Sequence, residues 1–246
     1  MVWLTSPDRH HYEDWQWSPD STRIALHRVE ENWKRRHLDV IEVTAAIEAA
    51  KTMKAAETGE TRKPEDSESD GKKQAGWVKT TYSESDDKWV CTLCGPVAWS
   101  PDGRHVLFLS ERDGWNHLYL IAADAAGGTE PRQLTRGPWE IETAPSPLEL
   151  RPQFDADGAR VYFTASREDH SRRDFYRLEL GSGALTRLTD WKGYNAATVA
   201  PDEKHVALLF SSFDQPWDLY VGVSALLKWK RPRDLQSFIG PYSVII

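Results

Sequence analysis

Apolar residues in this chain come in short runs, and a turn signal of nearly constant composition sits ahead of the clearest ones. Trp99-Ser100-Pro101-Asp102-Gly103-Arg104-His105-Val106-Leu107-Phe108-Leu109 reads as strand, tight turn, strand. Pro101 presets φ at the first central turn position, and Asp102-Gly103 supplies the turn chemistry that follows. Val106 to Leu109 is apolar at every position, which predicts a strand buried on both faces. The pattern recurs. Trp17-Ser18-Pro19-Asp20-Ser21-Thr22-Arg23-Ile24-Ala25-Leu26 repeats it closely, and Phe154-Asp155-Ala156-Asp157-Gly158-Ala159-Arg160-Val161-Tyr162-Phe163 more loosely. A fourth copy is Val199-Ala200-Pro201-Asp202-Glu203-Lys204-His205-Val206-Ala207-Leu208.

The anchor aspartates Asp102, Asp157 and Asp202 stand 55 and 45 residues apart, a period that points to propeller blades or a similar array. A third apolar strand follows each anchor at nearly constant distance: His37 to Ile41, His117 to Ile121, Phe175 to Leu178 and Asp218 to Val221. Three copies then close with a leucine-centred strand: Arg132-Gln133-Leu134-Thr135, Thr186-Arg187-Leu188-Thr189 and Arg233-Asp234-Leu235-Gln236. Four strands held in phase predict an all-β chain of four-stranded antiparallel β-propeller blades. Strands are expected near residues 97–100, 104–110, 116–122 and 131–135, and again near 151–154, 159–165, 174–180 and 184–189.

Where the rhythm breaks, the composition changes. Thr44 to Ala56 is alanine-rich and helix-prone. Glu57 to Gly76 is polar and charged without an apolar face, as in a disordered surface insertion. This insertion accounts for the 82 residues between Asp20 and Asp102. The alternative is an extra blade, for which Trp77 to Thr80 and Lys88 to Cys91 could supply strands. The expected organisation is the end of a preceding blade at 1–10 and a blade at 11–95 with its insertion at about 44–80. Further blades are expected at 96–147 and 148–193, with a last blade and tail at 194–246. Four blades, or five with the extra one, make an incomplete propeller whose open edges invite self-association.

Charge and composition narrow the function. A net charge of −7 argues against a nucleic-acid binder. No apolar run approaches the roughly 18 residues of a membrane span, and residues 1–20 lack a signal-peptide pattern. The compartment stays undecided. The 12 tryptophans suit packing between stacked sheets.

Candidate chemistry is sparse. Cys91 and Cys94 are the only cysteines. Two thiolates cannot complete a structural zinc site, so they read first as buried or incidental thiols, then as a local disulfide, then as a redox or metal-linked pair. His10-His11 point to opposite faces of a strand and form no ligand pair. Glu30-Glu31 and Asp86-Asp87 read as solvated carboxylates, with a cation or amine contact at Glu30-Glu31 as the alternative. Glu111-Arg112-Asp113 reads as a charged loop tip, and Gly127-Gly128 and Gly181-Ser182-Gly183 as hairpin turns. No Gly-x-Ser-x-Gly nucleophile elbow occurs, Gly222-Val223-Ser224-Ala225-Leu226 being the nearest approach. No catalytic, cofactor-binding or metal residue is therefore assigned, and no cofactor is expected.

Ser110-Glu111-Arg112-Asp113-Gly114-Trp115-Asn116-His117-Leu118-Tyr119-Leu120 resembles the propeller of the dipeptidyl peptidase IV branch of the prolyl oligopeptidase family. So do Arg132 to Ile141, Val161 to Ser166, Arg173 to Leu178 and Phe210 to Pro216, in the same order. The resemblance is clear over about 95–222 and generic over 11–43; the four Trp-Ser-Pro-Asp-like hairpins taken alone fit a Tol–Pal-type propeller equally. It implies a serine peptidase whose Ser-Asp-His triad lies on an α/β-hydrolase domain beyond the propeller. This chain would then be the non-catalytic portion that helps form the active-site cavity and gates peptide substrates. The family's glutamate pair, which holds the substrate N-terminus, precedes a Trp-Ser-Pro unit. Here Glu30-Glu31 follows Trp17-Ser18-Pro19 and Glu13-Asp14 stands too close ahead of it, so that role is not carried over. The alternatives are a stand-alone Tol–Pal-type protein-binding propeller and, more weakly, a carbohydrate or small-ligand propeller.

Overall fold

The computed structural model describes residues 10–57, 76–91, 94–143 and 150–223. The chain divides into two compact units that part between Gly137 and Pro138. In the first, β1 (His10–Trp17), β2 (Arg23–Glu30) and β3 (Arg35–Glu42) form a meander. Helix α1 (Val43–Glu57) follows, and β4 (Val78–Ser85) returns to pair with β3. The sheet order is β1-β2-β3-β4. A second sheet follows from β5 (Val97–Trp99), β6 (His105–Ser110), β7 (His117–Ala122) and β8 (Arg132–Gln133), again in chain order and antiparallel.

The second unit repeats the plan. One sheet contains β9 (Gln153–Phe154), β10 (Arg160–Ala165), β11 (Asp174–Glu179) and β12 (Leu185–Arg187). The other contains β13 (Tyr194–Val199), β14 (His205–Ser212) and β15 (Gln215–Val223), three strands among the described residues. The expected closing strand at 233–236 lies outside them, as do the strand expected at Trp3-Leu4 and the polar stretch 58–75. Because β4 completes the first sheet, the extra-blade reading of the 44–95 segment does not hold, and Lys88 to Cys91 forms no strand.

The recurring turn acts through its side chains. Ser100 Oγ donates to Asp102 Oδ1 at 2.6 Å and accepts the amide of His105 at 2.9 Å. Asp102 Oδ1 also takes the Arg104 amide at 3.0 Å. Ser18, Asp20 and Arg23 reproduce the arrangement. In the looser third copy Asp155 replaces the serine, and its Oδ1 accepts the Arg160 amide at 2.9 Å. The fourth residue of every turn has a left-handed backbone: Ser21 (φ 59), Gly103 (φ 66), Gly158 (φ 69) and Glu203 (φ 55). Two copies use glycine, for which that conformation is free of strain; the other two tolerate it.

The closing Leu-Thr pairs have a similar logic. Thr135 Oγ1 accepts the amide of Leu118, and Thr189 Oγ1 that of Phe175, latching the last strand onto the third. Beside these latches, His117 is fully buried between Thr135 Oγ1 and the Gly137 carbonyl, while Asp174 pairs with Arg172 at 2.6 Å.

Packing explains why strands read as apolar on both faces. In the first unit Ala25, Leu38, Val40 and Tyr82 meet Val97, Trp99, Val106, Phe108, Tyr119 and Ile121 between the two sheets. On the outer side Ile24, Leu26 and Ile41 pack against Ala46 of α1. In the second unit Tyr162, Phe175, Leu188 and Val206 fill the equivalent space. The tryptophans only partly serve this packing: Trp99 and Trp139 are buried, but Trp15, Trp17, Trp89 and Trp217 are 47–66% exposed.

Gly193 marks the tightest backbone approach. A Cβ there would stand 2.2 Å from the Ser211 carbonyl oxygen and 2.8 Å from the Phe210 ring. Gly193→Ala is therefore expected to force β13 off β14, with a loss of about 2–3 kcal/mol. Urea denaturation checks this; an unchanged midpoint would show that the strands separate without loss.

Candidate functional site

In the first unit a pocket of about 410 Å³ opens between the end of β4, the segment that follows it and the loop joining β6 to β7. Glu84, Trp89, Cys91, Glu111 and Arg112 are among its lining residues. Asp86 to Cys91, and Cys94 and Gly95 after it, have no regular structure, so they are held by side chains and scattered backbone bonds. Asp86 Oδ1 caps the turn by accepting the Lys88 amide, and the Val90 amide donates to the Trp33 carbonyl at 2.7 Å. His27 Nδ1 lies 3.0 Å from the Gly95 carbonyl. Burial pushes the His27 pKa well below its ordinary value, so the ring is neutral with its proton on that nitrogen.

Arg36, on β3 and almost fully buried, organises the floor. Its guanidinium lies 3.2 Å from the Cys94 carbonyl and 3.5 Å from that of Cys91, and it also donates to the Leu109 carbonyl. Nη2 pairs with Glu84 Oε1 at 2.6 Å, while Glu13 Oε2 stays 3.7 Å from Nη1. That longer separation is an ion-pair distance and not a hydrogen bond. One guanidinium thus faces two carboxylates and favours Glu84. Burial, more than the attraction of Arg36 offsets, raises the Glu13 pKa to about 7.

A second cation shapes the rim. Arg112 lies over the rings of Tyr119 and Tyr82, 4.2 and 5.3 Å from their centroids, and donates to the Tyr82 hydroxyl at 2.7 Å. Burial pushes the Tyr82 pKa up to about 12. Ser110 and Tyr82 both donate to Glu84 Oε2, which ties the two cations into one network.

Cys91 and Cys94 form a disulfide, which corrects the reading of them as thiols. The Cys-x-x-Cys spacing alone does not decide the pairing. Glu111, Arg112 and Asp113 stand exposed on the turn between β6 and β7, a charged loop tip; Glu111 also lines the pocket, Arg112 is packed on tyrosines and Asp113 pairs with Gln133. Glu30 is engaged by His37 at 3.2 Å and by Arg35 at 3.5 Å, and Asp86 is spent on its own turn. Glu13, Arg36 and Glu84 carried no local sequence signal, because their meeting depends on three different strands. Ser224 lies outside the described residues.

Repeated antiparallel meanders, two of them closed by a threonine latch and all packed within their units, define the chain as a β-propeller protein whose blades have four strands in three sheets and three among the described residues of the last. Residues 16–217 match the family described as the dipeptidyl peptidase IV (DPP IV) N-terminal region, and the chain belongs to that family. It is 30% identical over 116 residues to a Coccidioides posadasii protein named "Probable dipeptidyl-aminopeptidase B", covering 46% of this chain and 12% of that one. It is 27% identical over 151 residues to an Aspergillus flavus "Probable dipeptidyl peptidase 4", covering 57% of this chain and 18% of that one. The crystal structure of Porphyromonas gingivalis dipeptidyl peptidase 4 superposes with a TM-score of 0.65 at 16% identity, over 92% of this chain and 26% of that one. The chain therefore spans less than a fifth of the length of these two curated relatives. Of the two families that its Trp-Ser-Pro-Asp turns fit, the match is to the peptidase.

Proposed function

We propose that the chain is the non-catalytic propeller portion of a dipeptidyl-peptidase-type serine peptidase, where it bounds the active-site cavity and screens peptide substrates by size. The supporting observation is the family match across residues 16–217 in a sequence that contains no Gly-x-Ser-x-Gly. Acyl transfer to serine needs an activated hydroxyl beside a base and an oxyanion hole. No serine here is given those partners by its sequence context. The purified chain is expected to leave dipeptidyl chromogenic substrates uncleaved and to stay unlabelled by a fluorophosphonate probe. Stoichiometric labelling of any serine would overturn the non-catalytic reading. In a longer protein carrying this region, screening by size predicts turnover of short peptides but not of folded proteins with the same N-terminal residues. Equal turnover of both would remove the gate.

Exposed apolar edges belong to the same proposal. Among the described residues β1 and β15 stand outermost in their sheets; β1 carries Trp15 and Trp17, and β15 carries Trp217, Leu219 and Val221, all about half exposed or more. Such edges favour pairing with another chain. Light scattering behind size-exclusion chromatography is expected to show self-association of the isolated chain; a monodisperse 28.1 kDa species would count against it.

A further inference from the structure

The disulfide lies where a ligand set for a metal ion would lie. Cys91 Sγ, Cys94 Sγ and a Glu111 carboxylate oxygen are all within 4.8 Å of one another. Glu111 is exposed at the pocket, Cys91 lines it, and Cys94 is fully buried. We infer that this is a redox-gated zinc site: closed while Cys91 and Cys94 are joined, and able to bind one zinc ion through both thiolates and Glu111 once they are reduced. The inference stands apart from the peptidase reading and does not depend on it.

The argument is one of donor chemistry and spacing. Zinc takes cysteine sulfur at about 2.3 Å and carboxylate oxygen at about 2.1 Å, which sets tetrahedral ligand atoms roughly 3.5–3.8 Å apart. The three donors lie within 4.8 Å of one another, with the two sulfurs bonded to each other, so reduction followed by side-chain rotation that parts the sulfurs brings the set to that spacing. Two thiolates and a carboxylate suit zinc better than the hard cations magnesium and calcium. Three protein ligands leave the fourth position to water, and the adjoining pocket of about 410 Å³ gives that water room. Cys91, Cys94 and Gly95 have backbone anchors besides the disulfide. Arg36 grips the Cys91 and Cys94 carbonyls and His27 that of Gly95, so ligand positions survive reduction.

Opening needs a reductant, and the class proposed is a dithiol. Its thiolate attacks Cys91 Sγ, the sulfur on the pocket side, forming a mixed disulfide while Cys94 leaves as thiolate. The second thiol of the reductant then displaces Cys91, so the reductant becomes a disulfide and the protein gains two electrons and two protons. Zinc binding releases the two thiol protons.

The test uses the purified full chain, oxidised or reduced with a non-chelating phosphine, titrated anaerobically with cadmium as a spectroscopic probe and with zinc against a chromophoric chelator. The reduced chain is expected to show one thiolate-to-cadmium charge-transfer transition saturating at one equivalent, and the oxidised chain none. Glu111→Gln, at an exposed position, is expected to weaken zinc binding at least ~10-fold, while Asp113→Asn, a neighbour outside the cluster, leaves it unchanged. Cys94→Ser should abolish the transition; circular dichroism of that variant separates lost binding from lost folding. Absence of the transition in the reduced chain, equal binding by the oxidised chain, or Glu111→Gln binding as tightly as the parent would each overturn the inference.

Discussion

Replacing Arg36 by methionine is expected to destabilise the first unit by about 3–5 kcal/mol, the largest effect of any single side chain there. Methionine fills similar space but strands what the guanidinium serves: the Glu84 carboxylate at 2.6 Å and the carbonyls of Cys94 and Leu109. A buried carboxylate that loses its partner keeps its desolvation penalty without its compensation. Arg36→Lys should lose much of the same stability, because one ammonium cannot reach strand, loop and carboxylate as a planar fork does. Urea denaturation followed by tryptophan fluorescence measures both. If either variant falls by less than about 1 kcal/mol, water has replaced the guanidinium, and the pocket floor does not depend on it.

Glu13 gives the second large effect, and its sign is unusual for a carboxylate. Its folded pKa of about 7 lies above the ordinary 4.5 because burial disfavours the charged form. The folded state therefore holds the proton more tightly than the unfolded chain. That stabilisation is fully present below pH 4.5 and is lost as pH rises through about 7, with a total of about 3 kcal/mol. The charges facing Glu13 are Arg36, which opposes the shift, and Glu84 and Asp14, which add to it. Glu13→Gln should match the parent near pH 4.5 and exceed its stability at pH 8. His27 must charge to unfold in acid and contributes the opposite slope, so the difference between the two proteins isolates Glu13. Parallel stability curves for parent and variant would refute the assignment.

What the sequence disclosed was what local chemistry decides. Ser100-Pro101-Asp102-Gly103 announces its turn because every hydrogen bond in it spans at most five residues. Leu134-Thr135 and Leu188-Thr189 could be recognised as closing strands, although the latch that makes them so shows only in the fold. Even the loose copy at Asp155 keeps the turn, since a carboxylate accepts the same amide that serine does. The pocket was illegible for the opposite reason. Arg36 meets Glu13, Glu84, Cys94 and Leu109 across separations that no periodicity encodes. The pairing of β4 with β3 across the inserted helix escaped for the same reason, whereas the disulfide spans only three residues and was one of several readings that the Cys-x-x-Cys spacing leaves open.

That insertion has its two ends fastened together. The Glu42 amide donates to the Trp77 carbonyl at 2.9 Å, and the Val43 amide to the Thr22 carbonyl at 3.0 Å. The blade thus closes beneath whatever chain leaves at Val43 and returns at Trp77. Closing a loop becomes harder only logarithmically with its length, by about 0.6 kcal/mol per doubling. Chain added beyond α1 is therefore nearly neutral to the blade, provided the helix stays to cover Ile24, Leu26 and Ile41 with Ala46: it can lengthen, shorten or be exchanged for a folded module whose termini lie close together. The outer edge of the first sheet is a natural port for grafting, where new sequence can be sampled without disturbing the register of the strands beneath it.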